Sequence, residues 1–313
     1  MASHTTLPSA AAEGFKDAAS YDAHRPSYPA EVVEAFLQAL KVAGQPDMNI
    51  VEVASGTGKF TELLAGRPER FLIKAIEPHE GMRGKLAEKD LSAVEVVDGT
   101  ADKMPVADDW GDACIAAQAS RYVPRGCPTL LKPFIGLLML HSWIISHTLG
   151  CILICINRFA TPESLHEIHR ALRPGAVFGM IWNIEDYNAP REWESSTKWE
   201  QRLNDLIWSL DDGLPRFRHQ RWKEVFQQQL PGNPLQALAD TLTNQLPRFS
   251  LPIGENTSKW TVTLSQIAVL KGEEKEAAVK VFKEAMQGND VERNGDGEIA
   301  LHGMTYFAWT DRI

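Results

Sequence analysis

The sequence predicts an α/β protein with a doubly wound, mostly parallel seven-stranded sheet and helices on both faces. Residues 1–313 are expected to form a single domain. Two observations lead to this prediction. Apolar runs short enough for strands alternate with amphipathic stretches, which is typical of a parallel sheet with crossover helices. Small and polar residues follow the first two runs directly, where the strand ends of such a sheet face a ligand crevice.

Helix and strand positions follow from the apolar pattern in chain order. Helices are expected at 30–43, 58–66, 80–89 and 161–172. Strands are expected near 49–54, 71–77, 93–97, 112–119, 177–182 and 299–309. The last of these helices has the clearest beginning, because Thr161 supplies a capping hydroxyl, Pro162 suits the first turn and Glu163 complements the helix dipole. The carboxyl ends of the parallel strands should then meet at one edge of the sheet.

The turn after the first strand has the composition of a nucleotide-type cofactor site. The strand end and the turn consist of acidic and small residues: Glu52, Ala54, Ser55, Gly56, Thr57 and Gly58. Small residues let backbone N–H groups approach a ligand, and the following helix favours negative charge at its N-terminus. Glu77 ends the second strand, where it is expected to bind ribose hydroxyls. An NAD fingerprint is disfavoured, because Thr61 stands where its third glycine would be.

Five segments in a consistent order resemble one enzyme family: 15–29, 52–58, 94–105, 112–119 and 172–182. The second has the pattern acidic-x-Ala-x-Gly-x-Gly, which resembles motif I of the class I S-adenosylmethionine-dependent methyltransferases. The first resembles the N-terminal cap of the type-11 methyltransferase-domain branch of fungi near the trans-aconitate methyltransferases. Ala54 replaces the first glycine of motif I, and this should cost little if its φ is negative. The family has a Rossmann-like fold, in agreement with the predicted sheet.

The resemblance implies S-adenosyl-L-methionine as the cofactor and assigns further residues to it. Tyr21 and Arg25 are expected near its methionine carboxylate, since a planar guanidinium donates two parallel hydrogen bonds. The alternative for these two residues is a surface pair that fastens the N-terminal segment. Thr100 and Ala101 belong to the loop that meets the adenine, and Gln118 lies in the fourth strand segment of the family pattern.

Composition and charge favour a cytoplasmic enzyme that acts on a small molecule. The formal net charge of −9 argues against binding to nucleic acid, which needs a basic surface. Residues 1–19 are rich in Ala and Ser and contain no apolar core of a secretory signal. The four cysteines lack paired spacing, so no disulfide framework is expected. No metal site is expected either, and the oligomeric state is left open.

Residues 123–157 interrupt the alternation of strands and helices. The run from Phe134 to Ile156 carries no charge and is long enough to cross a membrane. One crossing would separate strands that must pair in one sheet, so no stable span is expected. We interpret the segment as a translated, unspliced intron, because the composition changes abruptly and valine codons begin with the GT of a splice donor. A re-entrant or surface-lying segment is the alternative.

The segment 183–260 is expected to form the substrate side, or lid, of the site. The strand end before it and the segment itself contain six tryptophans: Trp182, Trp193, Trp199, Trp208, Trp222 and Trp260. Trp182 and Tyr187 either line an apolar pocket or pack in the core. Trp199 and Trp208 are interpreted as core residues, because apolar residues recur around them at helical spacing.

The expected reaction is methyl transfer to a carboxylate or hydroxyl of a small molecule, with no catalytic residue assigned. A general base would help a hydroxyl acceptor. The candidates for that base are His166, His169, Asp186 and Tyr187. A carboxylate needs no base, and Arg121 or Arg191 would steer it. The alternative is a regulatory or interaction protein of the same fold that binds the cofactor but turns over poorly, because the insertion displaces a loop beside the site.

Overall fold

A computed structural model of the chain describes residues 27–118, 161–211, 216–227, 239–240, 248–253 and 270–312. Its helices are α1 (Ala30–Ala39), α2 (Lys59–Ala65), α3 (Glu80–Glu88), α4 (Pro162–Ala171), α5 (Lys198–Ser209), α6 (Glu224–Gln227) and α7 (Gly272–Ala285). Its strands are β1 (Asn49–Val53), β2 (Leu72–Ile76), β3 (Val94–Val97), β4 (Gly111–Ala117), β5 (Leu172–Glu185), β6 (Ala239–Asp240), β7 (Arg248–Ile253) and β8 (Ile299–Asp311).

The strands form one mostly parallel sheet. Strands β1–β5 run parallel in the order β3-β2-β1-β4-β5, and β8 continues the sheet antiparallel to β5. Strands β6 and β7 both pair antiparallel with β8. The predicted α/β architecture is confirmed. The predicted count of seven strands is not shown, since the described residues form six consecutive strands and two further ones that pair with β8.

Helices cover both faces of the sheet, as predicted. On one face, α1 and α2 pack through Phe36 and Phe60 against strand residues such as Ile50. On the other face, α4 packs through Leu165 and Ile168. A third core lies where α5 packs against α7 and the beginning of β8. Neighbouring side chains of a strand point to opposite faces, and therefore the central strands contribute to two cores.

Three element ends differ from the predicted ones by three or more residues, among them the beginning of the fifth strand, which lies at Leu172 rather than at 177. The first helix ends at Ala39 rather than at 43, because Lys41 has a φ of +62° and the chain turns there. The fifth strand continues to Glu185, past its predicted end at 182, because its last residues pair with β8 as far as Glu185 opposite Gly303. The candidate site lies at the edge of the sheet where β4 ends, and β5 continues past that edge to Glu185.

The predicted insertion at 123–157 lies outside the described residues. The strands on either side of it are parallel neighbours, with Ala113 of β4 opposite Val177 of β5. The chain therefore returns to the same sheet after residues 119–160, as the prediction required. Within the described ranges, no helix is both long and apolar enough to cross a membrane. The intron interpretation and the single-domain assignment stay predictions.

Gly179 allows α1 to lie directly on β5. A β-carbon at this position would lie 2.5 Å from Cδ2 of Leu40 and 2.7 Å from ring atoms of Phe36. We expect Gly179→Ala to lower the free energy of unfolding by about 1–3 kcal/mol, because the helix must shift outward to admit the methyl group. Urea unfolding followed by circular dichroism measures the change.

Gly84→Ala is the matched control for this substitution. Gly84 is an exposed residue of α3, and an added β-carbon would have no atom within 4 Å. Alanine favours a helix interior by about 1 kcal/mol over glycine. We therefore expect the control to be at least as stable as the unchanged protein. Equal stability of the two variants would contradict the close contact between α1 and β5.

Candidate functional site

The turn between β1 and α2 is tied to the end of β2. The N–H of Ser55 donates to the carbonyl of Ile76 over 3.1 Å, and the N–H of Gly56 donates to Oε2 of Glu77 over 2.9 Å. Gly56 and Gly58 have φ values of +58° and +85°, in the left-handed region that favours glycine. A β-carbon on Gly58 would also collide with a leucine of α3. The two glycines of the motif therefore meet a backbone requirement of this turn.

Ala54 begins the turn with a φ of +54°. The condition under which the replacement of glycine would cost little, a negative φ at this residue, is not met. The chain leaves β1 at Val53 and enters α2 at Lys59, so the short turn needs several left-handed residues. That conformation is disfavoured by about 1–2 kcal/mol for a residue with a β-carbon. Ala54 is therefore strained where the family motif has glycine.

Glu77 lies at the end of β2 with its carboxylate beneath the turn. Its Oε2 atom accepts from Gly56, and Oε1 accepts from the N–H of His79 over 2.8 Å. Burial raises the pKa of Glu77, while the two hydrogen bonds and the charges of His79 and Arg83 oppose the rise. Each carboxylate oxygen has a second lone-pair direction. Glu77 thus holds the turn in place and keeps acceptor capacity for the hydroxyls of a ligand.

Glu52 is buried in the core below the turn, with 1% of its surface exposed. Its carboxyl group lies beside the hydroxyl group of Thr61 on α2. Burial raises the pKa of Glu52 to about 8; the Thr61 contact lowers it, and the nearby Glu77 carboxylate raises it. Such a carboxyl group is largely protonated at neutral pH. This environment fits a structural role, and direct cofactor binding by Glu52 stays a prediction.

Ser55 and Thr57 are buried within the same turn. Oγ of Ser55 has no hydrogen-bond partner among the described residues. Buried polar atoms are usually paired, so an orphaned hydroxyl in this turn is a place where a polar group of a ligand would fit. Cofactor contacts of Ser55 and Thr57 stay predictions that this environment favours.

Thr100, Ala101 and Gln118 lie along the same edge of the sheet. The first two are half-buried in the turn after β3, where the N–H of Thr100 donates to the carbonyl of Lys103 over 3.3 Å. Gln118 follows β4, and its side chain donates to the carbonyl of Asn183 over 3.1 Å and accepts from its N–H over 2.8 Å. The side chain of Gln118 therefore links the end of β4 to the backbone of β5. Cofactor binding by these three residues stays a prediction.

Several predicted site residues are not brought together by the described part of the chain. Tyr21, Arg25 and Arg121 lie outside the described residues. On α4, His166 is exposed and His169 is half-buried. Within the described ranges, no group of three or more His, Cys, Asp or Glu residues is arranged to hold a metal ion.

Asp186 and Tyr187 follow β5 directly, and both are buried. Oδ2 of Asp186 accepts from the N–H of Ser196 over 2.5 Å. Tyr187 packs in the core between α5 and α7 together with Trp199. The structure therefore favours the core alternative for Tyr187, and it confirms the core position of Trp199.

Trp208 belongs to a basic cluster rather than to the core, so its predicted position is wrong. It is half-buried, and the guanidinium carbons of Arg191 and Arg218 lie 5.0 and 5.2 Å from its ring centre. Asp211 accepts from Arg218 over 3.0 Å and lies 3.2 Å from Nε2 of His219. Burial lowers the pKa of His219, and the charge of Arg218 lowers it further. Arg191, which contacts Trp208 in this cluster, lies in the segment that follows β5.

A buried carboxylate–imidazole pair joins α5 to β8. Oε1 of Glu200 accepts from the backbone N–H of His302 over 2.7 Å, and Oε2 lies 3.1 Å from Nδ1 of the same residue. Burial raises the pKa of Glu200, while the contacts with His302 and Thr197 lower it. No pattern in the sequence predicts this pair, because its two residues are 102 positions apart.

Comparisons with known proteins point to methyltransferases. No family model matches the chain. Over 213 residues it is 24% identical to a Schizosaccharomyces pombe protein named an uncharacterized methyltransferase-like protein, covering 67% of this chain and 63% of that protein. Over 261 residues it is 24% identical to a second S. pombe protein, named an uncharacterized methyltransferase, covering 83% and 81%. The chain thus spans less than two thirds of the first relative.

Two solved structures are similar to this chain over most of its length. The YcgJ protein from Bacillus is 14% identical with a TM-score of 0.47, covering 89% of this chain and 97% of that one. Geranyl diphosphate C-methyltransferase from Streptomyces coelicolor, crystallised with S-adenosyl-L-homocysteine, is 12% identical with a TM-score of 0.40, covering 90% and 76%. The resemblance to methyltransferases is confirmed by the names of the two S. pombe relatives. The trans-aconitate branch stays a prediction.

The strain at Ala54 predicts that Ala54→Gly stabilises the protein. Release of the left-handed alanine outweighs the extra chain entropy of glycine, which is roughly 0.5–1 kcal/mol. We expect the free energy of unfolding to rise by about 0.5–1 kcal/mol in urea titrations. Ala87→Gly, at an exposed position of α3, is the control and should destabilise by about 1 kcal/mol. A loss of stability in Ala54→Gly would show that the residue is not strained.

The raised pKa of Glu52 predicts a pH-dependent contribution to stability. Between its usual value of 4.5 and about 8, the unfolded carboxyl group is ionised while the folded one keeps its proton. Stability from this group is therefore complete below pH 4.5 and is lost as the pH rises toward 8. Glu52→Gln should gain stability relative to the unchanged protein by about 1.4 kcal/mol per pH unit across this window. Urea unfolding at pH 5, 6, 7 and 8 measures the difference, and a constant difference would contradict the assignment.

Proposed function

We propose that this chain is a class I S-adenosylmethionine-dependent methyltransferase that transfers a methyl group to a small-molecule acceptor in the cytoplasm. The observation that carries the proposal is the turn after β1, whose backbone is bonded to the Glu77 carboxylate at the neighbouring strand end. N–H groups beside a buried carboxylate suit a ligand with a carboxylate at one end and a ribose in the middle. The names of the relatives support the same function. The resemblance of 15–29 supports a place near the trans-aconitate branch.

The residues present fit this cofactor. Glu77 keeps acceptor capacity for ribose hydroxyls, and the buried hydroxyl of Ser55 lacks a partner among the described residues. The remaining contacts are proposed for the turn at 56–58 and for Thr100 and Ala101. When bound, S-adenosylmethionine supplies an electrophilic methyl group. The task of the chain is to hold it and to align an acceptor, and alignment alone can lower a barrier by up to about 7–11 kcal/mol.

The acceptor group is proposed to be a carboxylate or a hydroxyl, bound on the side formed by 183–260. A carboxylate is nucleophilic without losing a proton, so it needs no base. The exposed Arg191 beside Trp208 supplies positive charge for such a substrate. For a hydroxyl, the candidate base of this segment is Asp186, which directly follows β5.

A second candidate function is a regulatory or interaction protein that binds the cofactor without efficient turnover. The observation that favours it is the place of residues 123–157, between Gln118 at the β4 end and Thr161 at the beginning of α4. Gln118 lies at the same edge of the sheet as the candidate cofactor turn. Cofactor binding without formation of a methylated product would distinguish this function from an enzyme.

Calorimetric titration with S-adenosylhomocysteine tests the proposed function. We expect binding by the full chain, and we expect Glu77→Ala to weaken it by about 10- to 150-fold, the effect of losing hydrogen bonds to a charged group. Glu95→Gln is the control. Glu95 is a largely exposed carboxylate on β3, 2.7 Å from Lys74, and its loss should leave the affinity unchanged.

A chain without residues 123–157 completes this test. Binding by both chains supports the fold and the cofactor and leaves the insertion as a modifier of turnover. Binding by the shortened chain alone supports the intron interpretation. Absence of binding by both chains, with circular dichroism showing that they are folded, would contradict the proposed function.

A further inference from the structure

Six aromatic side chains form a continuous group on one face of β5 and β8. We call them the aromatic cluster: Trp182, Trp193, Phe217, Trp222, Phe226 and Tyr306. Trp182 and Tyr306 lie opposite each other in the β5–β8 pair. The ring centre of Trp182 is 4.8 Å from that of Trp222 and 5.2 Å from that of Phe217. Trp193 and Phe226 are only partly buried, so the cluster extends from the core toward the surface.

The aromatic cluster shares its side of the sheet with the candidate cofactor site. Ala54 and Ala101, on the turns after β1 and β3, pack against the same buried core as Trp182 and Trp222. Strand β5 is two positions from β1 in the sheet, a separation of about 10 Å. A molecule bound on the cluster would therefore lie beside a cofactor held by the turn after β1.

Two hydrogen-bond donors inside the cluster have no acceptor in the part of the chain that the structure describes. Trp182 is 2% exposed and Trp222 is 1% exposed, and Nε1 of each indole lacks a partner among the described residues. Buried indole N–H groups usually find an acceptor, because an unpaired donor away from water costs free energy. Two such donors on neighbouring rings indicate a place where oxygen atoms of a ligand would be bound.

A cationic side chain covers the same rings. Nζ of Lys223 lies 5.5 Å from the ring centre of Trp222 and 5.6 Å from that of Tyr306. The lysine is half-buried and therefore stands at the outer edge of the cluster. Its charge complements an anionic group that arrives at the two indole donors.

We propose that the aromatic cluster binds the methyl acceptor, and that this acceptor is a planar aromatic molecule with a carboxylate. The inference rests on the proposed function and specifies its substrate class. Flat rings stack on the indoles and on Tyr306, the unpaired indole N–H groups donate to the carboxylate, and Lys223 balances its charge. An aliphatic polycarboxylate matches the charge but not the rings.

The cluster is closed in this structure, because its rings touch one another. The cover consists of two single turns of 3-10 helix, Phe217–His219 and Arg221–Lys223, followed by the four residues of α6. Such short helices hold few backbone hydrogen bonds of their own. Binding therefore moves the segment 216–227 outward and separates Trp222 from Trp182.

Calorimetric titration of the full chain with three probes, with and without saturating S-adenosylhomocysteine, tests the proposal. The probes are 4-hydroxycinnamate, its uncharged methyl ester and trans-aconitate. We expect 4-hydroxycinnamate to bind at least tenfold more tightly than the other two. Trp222→Phe keeps a flat ring and removes the N–H, and Lys223→Met keeps the length and removes the charge. Each should weaken 4-hydroxycinnamate at least fivefold and leave the affinity for S-adenosylhomocysteine unchanged.

Two control variants separate ligand contacts from general effects on the fold. Trp199→Phe removes another buried indole, in the core between α5 and α7, whose N–H has no acceptor among the described residues. Lys280→Met removes an exposed lysine of α7. Both should bind 4-hydroxycinnamate within twofold of the unchanged protein. Thermal unfolding verifies that all four variants are folded.

Three results would overturn the proposal: no binding of 4-hydroxycinnamate, tighter binding of trans-aconitate, or equal binding by the cluster variants and the controls. The titration with S-adenosylhomocysteine reports separately on the proposed function. If S-adenosylhomocysteine does not bind but 4-hydroxycinnamate binds specifically, the protein has a site for aromatic acids and is not a methyltransferase. If S-adenosylhomocysteine binds but 4-hydroxycinnamate does not, the protein is a methyltransferase whose acceptor binds elsewhere.

Discussion

The candidate site depends on one carboxylate that accepts two backbone hydrogen bonds. Glu77 receives the N–H of Gly56 from the turn after β1 and the N–H of His79 from the beginning of α3. These bonds fix the turn against the second strand, so the distance between the small-residue backbone and the carboxylate is set before any ligand arrives. Because preorganised groups lose little freedom on binding, a ligand that bridges turn and carboxylate gains affinity from this arrangement.

The two halves of the site are built by different means. The proposed cofactor half consists of residues close in sequence, on strands and turns that follow one another, and backbone hydrogen bonds hold it in place. The proposed acceptor half is assembled from distant segments, through contacts such as the pairing of Trp182 with Tyr306 and the packing of Trp222 on Trp182. Substitutions in the acceptor half therefore leave the cofactor half intact. In this way one fold can serve many substrates.

The sequence predicted the first half well, because apolar period and small-residue turns are local signals. The positions of β1, β2, Glu77 and the glycine turn follow from these signals alone. The positive φ of Ala54 does not follow from these signals, because it depends on how few residues join β1 to α2. The half-buried place of Trp208 among cations and the pairing of Glu200 with His302 depend on packing between distant segments, which no window of the sequence contains.

The parallel pairing of β4 with β5 bears on how much the length of the connection between these strands can vary. The entropy of closing a flexible connection grows with the logarithm of its length, by about 0.6 kcal/mol for each doubling. Residues 118–160 exceed a typical connection of about five residues by roughly eightfold, which corresponds to about 2 kcal/mol. A sheet with cores on both faces tolerates that penalty. A chain with residues 123–157 and a chain without them are therefore expected to share one fold.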